Sequence, residues 1–199
     1  MKKIAVTGVS NRERKILSHA LSCLTGYDLV RQTAYACQAV KLNLNHCIEK
    51  CDWYELFTYA LSAFTERIEI EQQFDAYISN GSVFHELAYL EALYTVNRLD
   101  RRKSDEYASM YSTLKKVISE YALREYDYII HINVPVKKMD QLLFDVNQSL
   151  VGMVQGCRKS FVIDNNSLLP DMLGEILSEL QIEPLLPVHA ALKRVNMEI

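Results

Sequence analysis

No apolar run in this chain approaches the roughly 20 residues that a membrane-spanning helix needs. The short run Ile4–Val6 behind Met1-Lys2-Lys3 is too brief for the core of a signal peptide. A cytoplasmic location with no membrane partner is therefore the expectation. An excess of one charge is also missing: 22 Lys and Arg stand against 25 Asp and Glu, a formal net charge of -3. That balance gives no electrostatic case for nucleic acid as the main partner. The five cysteines, Cys23, Cys37, Cys47, Cys51 and Cys157, are odd in number and scattered, which argues for reduced thiols over a disulfide framework. His46 and Cys47 lead into Cys51 at helical spacing, yet no second Cys/His pair lies nearby to complete a tetrahedral set, so no metal site is expected. Internal repeats, low-complexity tracts and domain linkers are absent as well.

What is present is an alternation of β-type and helix-type segments. Lys3-Ile4-Ala5-Val6-Thr7 reads as a strand ending at Gly8. Ile16, Leu17, Ala20, Leu21 and Leu24 then recur at helical spacing, with Ser10 or Asn11 as the cap and Gly26 as the closing residue. Tyr27–Gln32 reads as a second strand, and Tyr35 to Lys50 is ambiguous. Trp53, Leu56, Phe57, Ala60, Leu61 and Phe64 make an amphipathic stripe. Phe74–Ser79 reads as a strand broken by Asn80-Gly81-Ser82, and Val83–Val96 reads as an interior helix. A helix to about Arg124 carries Met110, Leu114, Val117, Ile118 and Tyr121 in phase. Tyr128–Val134 is nearly continuous in apolar character, as a parallel strand buried on both faces would be. A helix with Leu142, Val146 and Leu150, the strand Ser160–Asp164 and a helix from Leu168 to Leu180 follow. Residues 183–199 contain two prolines and weaker periodicity and read as a C-terminal tail to a domain spanning residues 1–182. The pattern predicts an α/β fold: a five-stranded, mainly parallel sheet covered by helices on both faces, with right-handed crossovers.

Ligands of such sheets bind beyond the carboxyl ends of the strands. The first strand-to-helix turn reads Gly8-Val9-Ser10-Asn11-Arg12-Glu13-Arg14-Lys15, where a phosphate-binding loop has G-x-x-x-x-G-K-[ST]. Only the first glycine matches. The segment Ile4-Ala5-Val6-Thr7-Gly8 and the following helix with Leu17 and Leu21 nonetheless resemble the start of P-loop kinases. Over about Lys2 to Leu180, the succession of elements resembles the AAA-like kinase family that includes nicotinamide-ribonucleoside kinase domains, and more distantly the deoxynucleoside and thymidylate kinases. The resemblance implies a three-layer α/β/α P-loop kinase-like fold, with ATP and Mg²⁺ as the family's cofactors.

Three departures bear on what the resemblance implies for activity. Glu13 replaces the second loop glycine, Arg14 the lysine, and Lys15 the Ser/Thr whose hydroxyl would sit on Mg²⁺; an ammonium has no acceptor for a cation. Asn80-Gly81-Ser82 stands where the family has an Asp-Arg-Ser motif, so a neutral amide replaces the base or metal partner and the arginine is lost. Ser82 is retained, and Glu86 falls near the family's second acidic position. Finally, Val134-Pro135-Val136-Lys137-Lys138 leaves little room for an arginine-bearing lid. Gly8, Ser10, Asn11, Arg14, Lys15 and Ser82 are the candidate nucleotide or phosphate contacts, and Asn80 and Glu86 the candidate catalytic positions. Arg14 can fork onto phosphate oxygens, helped by the dipole and free amides of the first helix.

Each feature also has a plain structural reading. Arg14 and Lys15 fit solvated charge on a first helical turn, and Asn-Gly-Ser fits a capped strand-to-helix turn. His131 fits a satisfied core histidine. Arg98, Arg101, Arg102 and Lys103 fit a solvated face, and the tyrosines fit packing or a protein interface as well as base stacking. The reading that combines these observations is a degenerate nucleotide-kinase-like module that binds a nucleotide or another small anion, or a protein partner, with little phosphoryl transfer. Two others stand beside it. One is an active divergent kinase or NTPase using Arg14 with Glu86 or Asp75. The other is a structural homo-oligomer joined through the tyrosine-rich helices and the tail.

Overall fold

The computed structural model describes residues 2–31, 53–97, 104–133, 141–157, 159–164 and 168–198. Among them are five strands: β1 (Lys3–Thr7), β2 (Asp28–Arg31), β3 (Tyr77–Asn80), β4 (Tyr128–Asn133) and β5 (Ser160–Asp164). Seven helices accompany them: α1 (Asn11–Thr25), α2 (Trp53–Glu71), α3 (Phe84–Asn97), α4 (Ser104–Glu125), α5 (Gln141–Gln155), α6 (Leu169–Leu180) and α7 (Val188–Glu198). The strands form one sheet in the order β2-β3-β1-β4-β5, and every pairing is parallel. The expected α/β architecture is therefore present. The ambiguous stretch Tyr35–Lys50, the basic run Arg98–Lys103 and the lid position with Lys137 and Lys138 lie outside the described residues.

Strand alternation sorts the apolar side chains into two layers. Ala5, Tyr77 and Ile129 face a core shared with Trp53, Phe64, Phe84, Leu87, Leu114, Ile118, Val146 and Leu150 of α2 to α5. Ile4, Val6, Ile78, Ile130, Ile132 and Ile163 face the other way, onto Leu17, Leu21 and Leu24 of α1 and Met172, Leu173 and Ile176 of α6. The central strands are covered on both sides, which is why β4 needs an unbroken apolar run. Burying each such Leu or Ile contributes about 2 kcal/mol. Val9 and the tyrosines of α4 join the first layer. Tyr107 packs against Trp53 and Tyr54, and Tyr121 against Phe64 and Tyr126.

Several boundaries differ from those read in the sequence. Phe74 is not in a strand: its amide bonds back to Glu71 O, while Tyr77 N reaches Lys2 O and opens the pairing with β1. The strand then runs on through Asn80, which is paired with Val6 and Arg31 instead of breaking the strand. Gly26 closes α1 as expected, in the left-handed region with its amide on Ser22 O. At the other end Ser10 occupies the cap position but makes no side-chain capping bond.

Residues 183–199, read as a tail, carry α7, which packs on α1 and α6. Pro184 and Pro187 precede this helix, where they break nothing; Pro187 O accepts from the amides of Ala190 and Ala191. Val188, Ala191, Leu192 and Val195 recur at helical spacing and extend the second core layer. Leu185 N also bonds to Leu24 O at 2.8 Å, tying the approach to α7 onto the end of α1. Placing a carboxylate at fully buried Ala191 tests this packing. Ala191→Asp is expected to lower the unfolding free energy in urea by about 3 kcal/mol or more, whereas a solvated tail would absorb it within about 0.5 kcal/mol.

Candidate functional site

The turn after β1 is governed by Gly8. It is buried, its φ is +144°, and a Cβ there would lie 2.7 Å from Ile132 O on β4. Only Gly8, Val9 and Ser10 separate the strand from α1, which already begins at Asn11. The helix is closed from its first turn by Arg14 N on Ser10 O at 3.1 Å. Glu13 suits this first turn, where a carboxylate favours the helix dipole. What remains for an anion is the N-terminal end of α1, with Lys15 and Asn11 exposed and Ser10 half-buried.

Arg14 points inward. It is 8% exposed and donates to Gly8 O and, at 3.4 Å, to Asn11 Oδ1. Its Nη1 lies 2.8 Å from His85 Nε2 in the first turn of α3. Burial lowers its pKa to about 10, with the nearby Arg67 acting in the same sense and Glu86 and Tyr89 opposing. A guanidinium only donates, so His85 Nε2 accepts and the ring proton sits on Nδ1. Burial, then Arg14, Arg67 and His131, hold His85 well below the ordinary histidine value, so the ring is neutral.

At the end of β3, Gly81 (φ +115°) donates its amide to Val6 O at 2.8 Å. A Cβ at position 81 would meet Arg67 Nη2 at 2.8 Å. The Arg67 guanidinium, arriving from α2, thus takes the space that a side chain at position 81 would enter. Arg67 Nη1 donates to Ser79 Oγ at 3.1 Å, and Ser79 Oγ donates to Glu71 at 2.8 Å. The Glu71 carboxylate also accepts from Tyr121 OH at 3.1 Å and Tyr126 OH at 3.0 Å, with Arg67 at 3.8 Å. Burial pushes the Glu71 carboxyl upward, opposed by Arg67 and by the hydroxyls of Ser79, Tyr126 and Tyr121. Burial works against the charge of Arg67, yet Glu86, Tyr126, Glu71 and Tyr77 raise its pKa, so it stays a cation.

Of the residues singled out in the sequence, Ser82 is buried and accepts from Phe84 N at 3.3 Å, which makes it a cap for α3. Glu86 is buried in the next turn, within electrostatic reach of Arg14 and Arg67. Asn80 ends β3, and its Oδ1 is buried with no hydrogen-bond partner among the described residues. Asp75 lies before β3, at the amino end of the strand and away from these groups. The structure therefore brings Gly8, Arg14, Asn80, Ser82 and Glu86 to one end of the sheet, leaves Lys15 in solvent and removes Asp75 from consideration. Arg67 and Glu71 escaped the sequence reading, although their positions continue the apolar phase of Trp53, Leu56, Ala60 and Phe64. Charges on a buried stripe were the available signal. His131 is fully buried, with Nε2 at 3.2 Å from Asn147 Oδ1; its Nδ1 has no partner among the described residues, so the ring is only half satisfied.

Comparison with solved structures identifies the fold. Deoxyadenosine kinase from M. mycoides, solved with dCMP and a flexible dCDP, superposes with a TM-score of 0.68 at 15% identity, covering 90% of this chain and 98% of that one. The same kinase with dATP bound gives 0.65 at 17% identity, covering 90% and 99%. The chain has the fold of the P-loop nucleoside kinases. No family model matches the sequence and no curated protein matches it. No helix among the described residues is long and apolar enough to cross a membrane.

Two outcomes test this description. Glu71→Ala takes away the carboxylate that faces Arg67, Ser79, Tyr121 and Tyr126, and is expected to cost about 3–5 kcal/mol in chemical unfolding. His131 gives a pH dependence, because burial lowers its pKa from 6.5 to about 4, partly offset by Asn147. Between these values the unfolded chain binds the extra proton, so its contribution is complete above about pH 6.5 and is lost as the pH falls towards 4. That loss is on the order of 3 kcal/mol, and His131→Phe should flatten the corresponding limb of a stability-versus-pH curve.

Proposed function

We propose that this chain is a nucleoside-kinase-like protein that binds a nucleoside or nucleotide at the carboxyl end of its sheet and transfers phosphoryl groups poorly or not at all. The observation that carries the reading is the turn after β1. A phosphate loop wraps successive backbone amides around an anion before its helix begins; here three residues separate strand from helix. Arg14, at the lysine position, is engaged by Gly8 O and His85 inside the protein. Position 15 offers an ammonium where a hydroxyl ligand for Mg²⁺ would stand, so the residues present do not fit an ATP–Mg²⁺ pair held in the usual manner.

The catalytic positions argue the same way. Asn80 is a neutral amide and cannot take a proton usefully near pH 7. Glu86 faces two guanidiniums, Arg14 and Arg67, which suits a structural counter-charge. Against this, the dipole of α1 and exposed Lys15 near its N-terminal end still favour a small anion. The fold neighbours hold deoxynucleotides, which makes deoxyadenosine and dATP the natural first ligands to offer.

Thermal shift and titration calorimetry with dATP, with and without Mg²⁺, test the reading. Saturable stabilisation of about 2.7 kcal/mol at a hundredfold excess over Kd, unchanged by Mg²⁺, is expected, together with no transfer of label from ATP to deoxyadenosine. Label transfer that disappears in Glu86→Gln would replace this reading with that of an active divergent kinase.

A further inference from the structure

Four polar side chains cross the carboxyl ends of β4 and β5 in a chain whose direction is fixed at one end. Asp164 is exposed and accepts at 2.9 Å from Asn133 Nδ2. An ionised carboxylate can only accept, so Asn133 must turn its amide nitrogen towards it and its oxygen away. That oxygen accepts at 3.2 Å from Asn147 Nδ2. Asn147 then presents its own oxygen, at 3.2 Å, to His131 Nε2. His131 is therefore the Nε2–H tautomer, and its buried Nδ1 is a bare acceptor with no partner among the described residues.

His85 has the opposite polarity for an equally strict reason. Arg14 can only donate to its Nε2, so the ring proton is on Nδ1, also buried and also without a partner among the described residues. The two rings lie on the same side of the sheet: α3, which carries His85, packs on α5, which carries Asn147. Arg14 Nη1 joins His85 Nε2 to Gly8 O, and Gly8 follows Thr7, the cross-strand partner of His131, so both rings stand at the turn after β1. Thr7, the cross-strand neighbour of His131, adds a buried hydroxyl with no partner among the described residues. One donor, one acceptor and a hydroxyl, all buried and without partners among the described residues, do not suit an anion, because a phosphate dianion has nothing to give a bare imidazole nitrogen. They suit a neutral group that donates and accepts at once.

We propose that His85 and His131 form a neutral donor–acceptor pair that holds a hydroxyl group of a nucleoside, beside the carboxyl ends of β1 and β4. The hydroxyl donates to His131 Nδ1 and accepts from His85 Nδ1–H, and Thr7 Oγ1 lies next to it. No proton changes owner, so both rings act as positioning residues. The proposal rests on the reading that a nucleoside or nucleotide occupies this end of the sheet, and it adds that the part held by the histidines is uncharged. It is independent of whether the end of α1 takes an anion.

Nitrogen NMR of the full chain labelled with ¹⁵N-histidine tests it at pH 7. The expected spectrum shows His131 protonated on Nε2 and His85 protonated on Nδ1, with the Nδ1 signals of both moving on titration with deoxyadenosine. The same tautomer in both rings, an imidazolium, or Nδ1 signals that stay still while deoxyadenosine binds would each overturn the proposal. Binding with unmoved histidines leaves the broader nucleotide-binding reading intact, whereas failure of both deoxyadenosine and dATP to bind overturns both. Asp164→Asn, on the surface, removes the fixed end of the relay without touching the core. It should mix the two tautomers of His131 and weaken deoxyadenosine binding several-fold, up to about tenfold, with an unchanged unfolding midpoint. His131→Phe should weaken it about tenfold or more. Unaltered affinity in both variants would overturn the proposal.

Discussion

The Glu71 carboxylate is fully buried, and a charge in that position is tolerable only when its surroundings are built for it. Each group that satisfies it comes from a different element. Ser79 belongs to β3, Tyr121 to α4, Tyr126 to the approach to β4, and Arg67 to the preceding turn of α2 itself. Tyr126 passes the connection on by accepting from Val83 N at the entrance to α3. The helix layer on this side of the sheet is thus oriented by polar contacts as well as by apolar packing, and the end of β3, where Gly81 turns the chain, is positioned by the same guanidinium.

The shortened turn after β1 and this network have complementary effects on charge. In a phosphate loop the cation points outward at a ligand. Here the cation of the first turn points inward at Gly8 O and His85, and a second, Arg67, stands behind it with Glu86 between them in the electrostatic sense. The repulsion of two buried guanidiniums is offset by two carboxylates. An interior balanced in this way carries little net charge. The neutral imidazoles of His85 and His131 beside it are consistent with that balance.

How much of this was readable beforehand depended on whether a feature repeats. Continuous or periodic apolar patterns identified β1, β4, α1, α2 and α6, because burial acts on many residues at once and leaves a pattern. Single-residue events left none. Pro184 and Pro187 look like breakers until the helix after them is seen. Asn80 looks like a turn residue because asparagine favours turns, yet parallel pairing with Val6 and Arg31 keeps it in the sheet. Arg67 and Glu71 occupy core positions of α2, where charge contradicts the apolar pattern and only tertiary partners explain it. The polarity of His131 is set by an aspartate on another strand, which no local window contains.

Gly81 and Arg67 are bound together in a way that restricts how this sequence can vary. The guanidinium fills the volume a side chain at position 81 would need, and the backbone there adopts a conformation that favours glycine. Placing a side chain at position 81 while Arg67 remains crowds its guanidinium; removing Arg67 strips a buried carboxylate of its cation. Either change alone is therefore expected to destabilise the fold. The two positions are in that respect latched to one another.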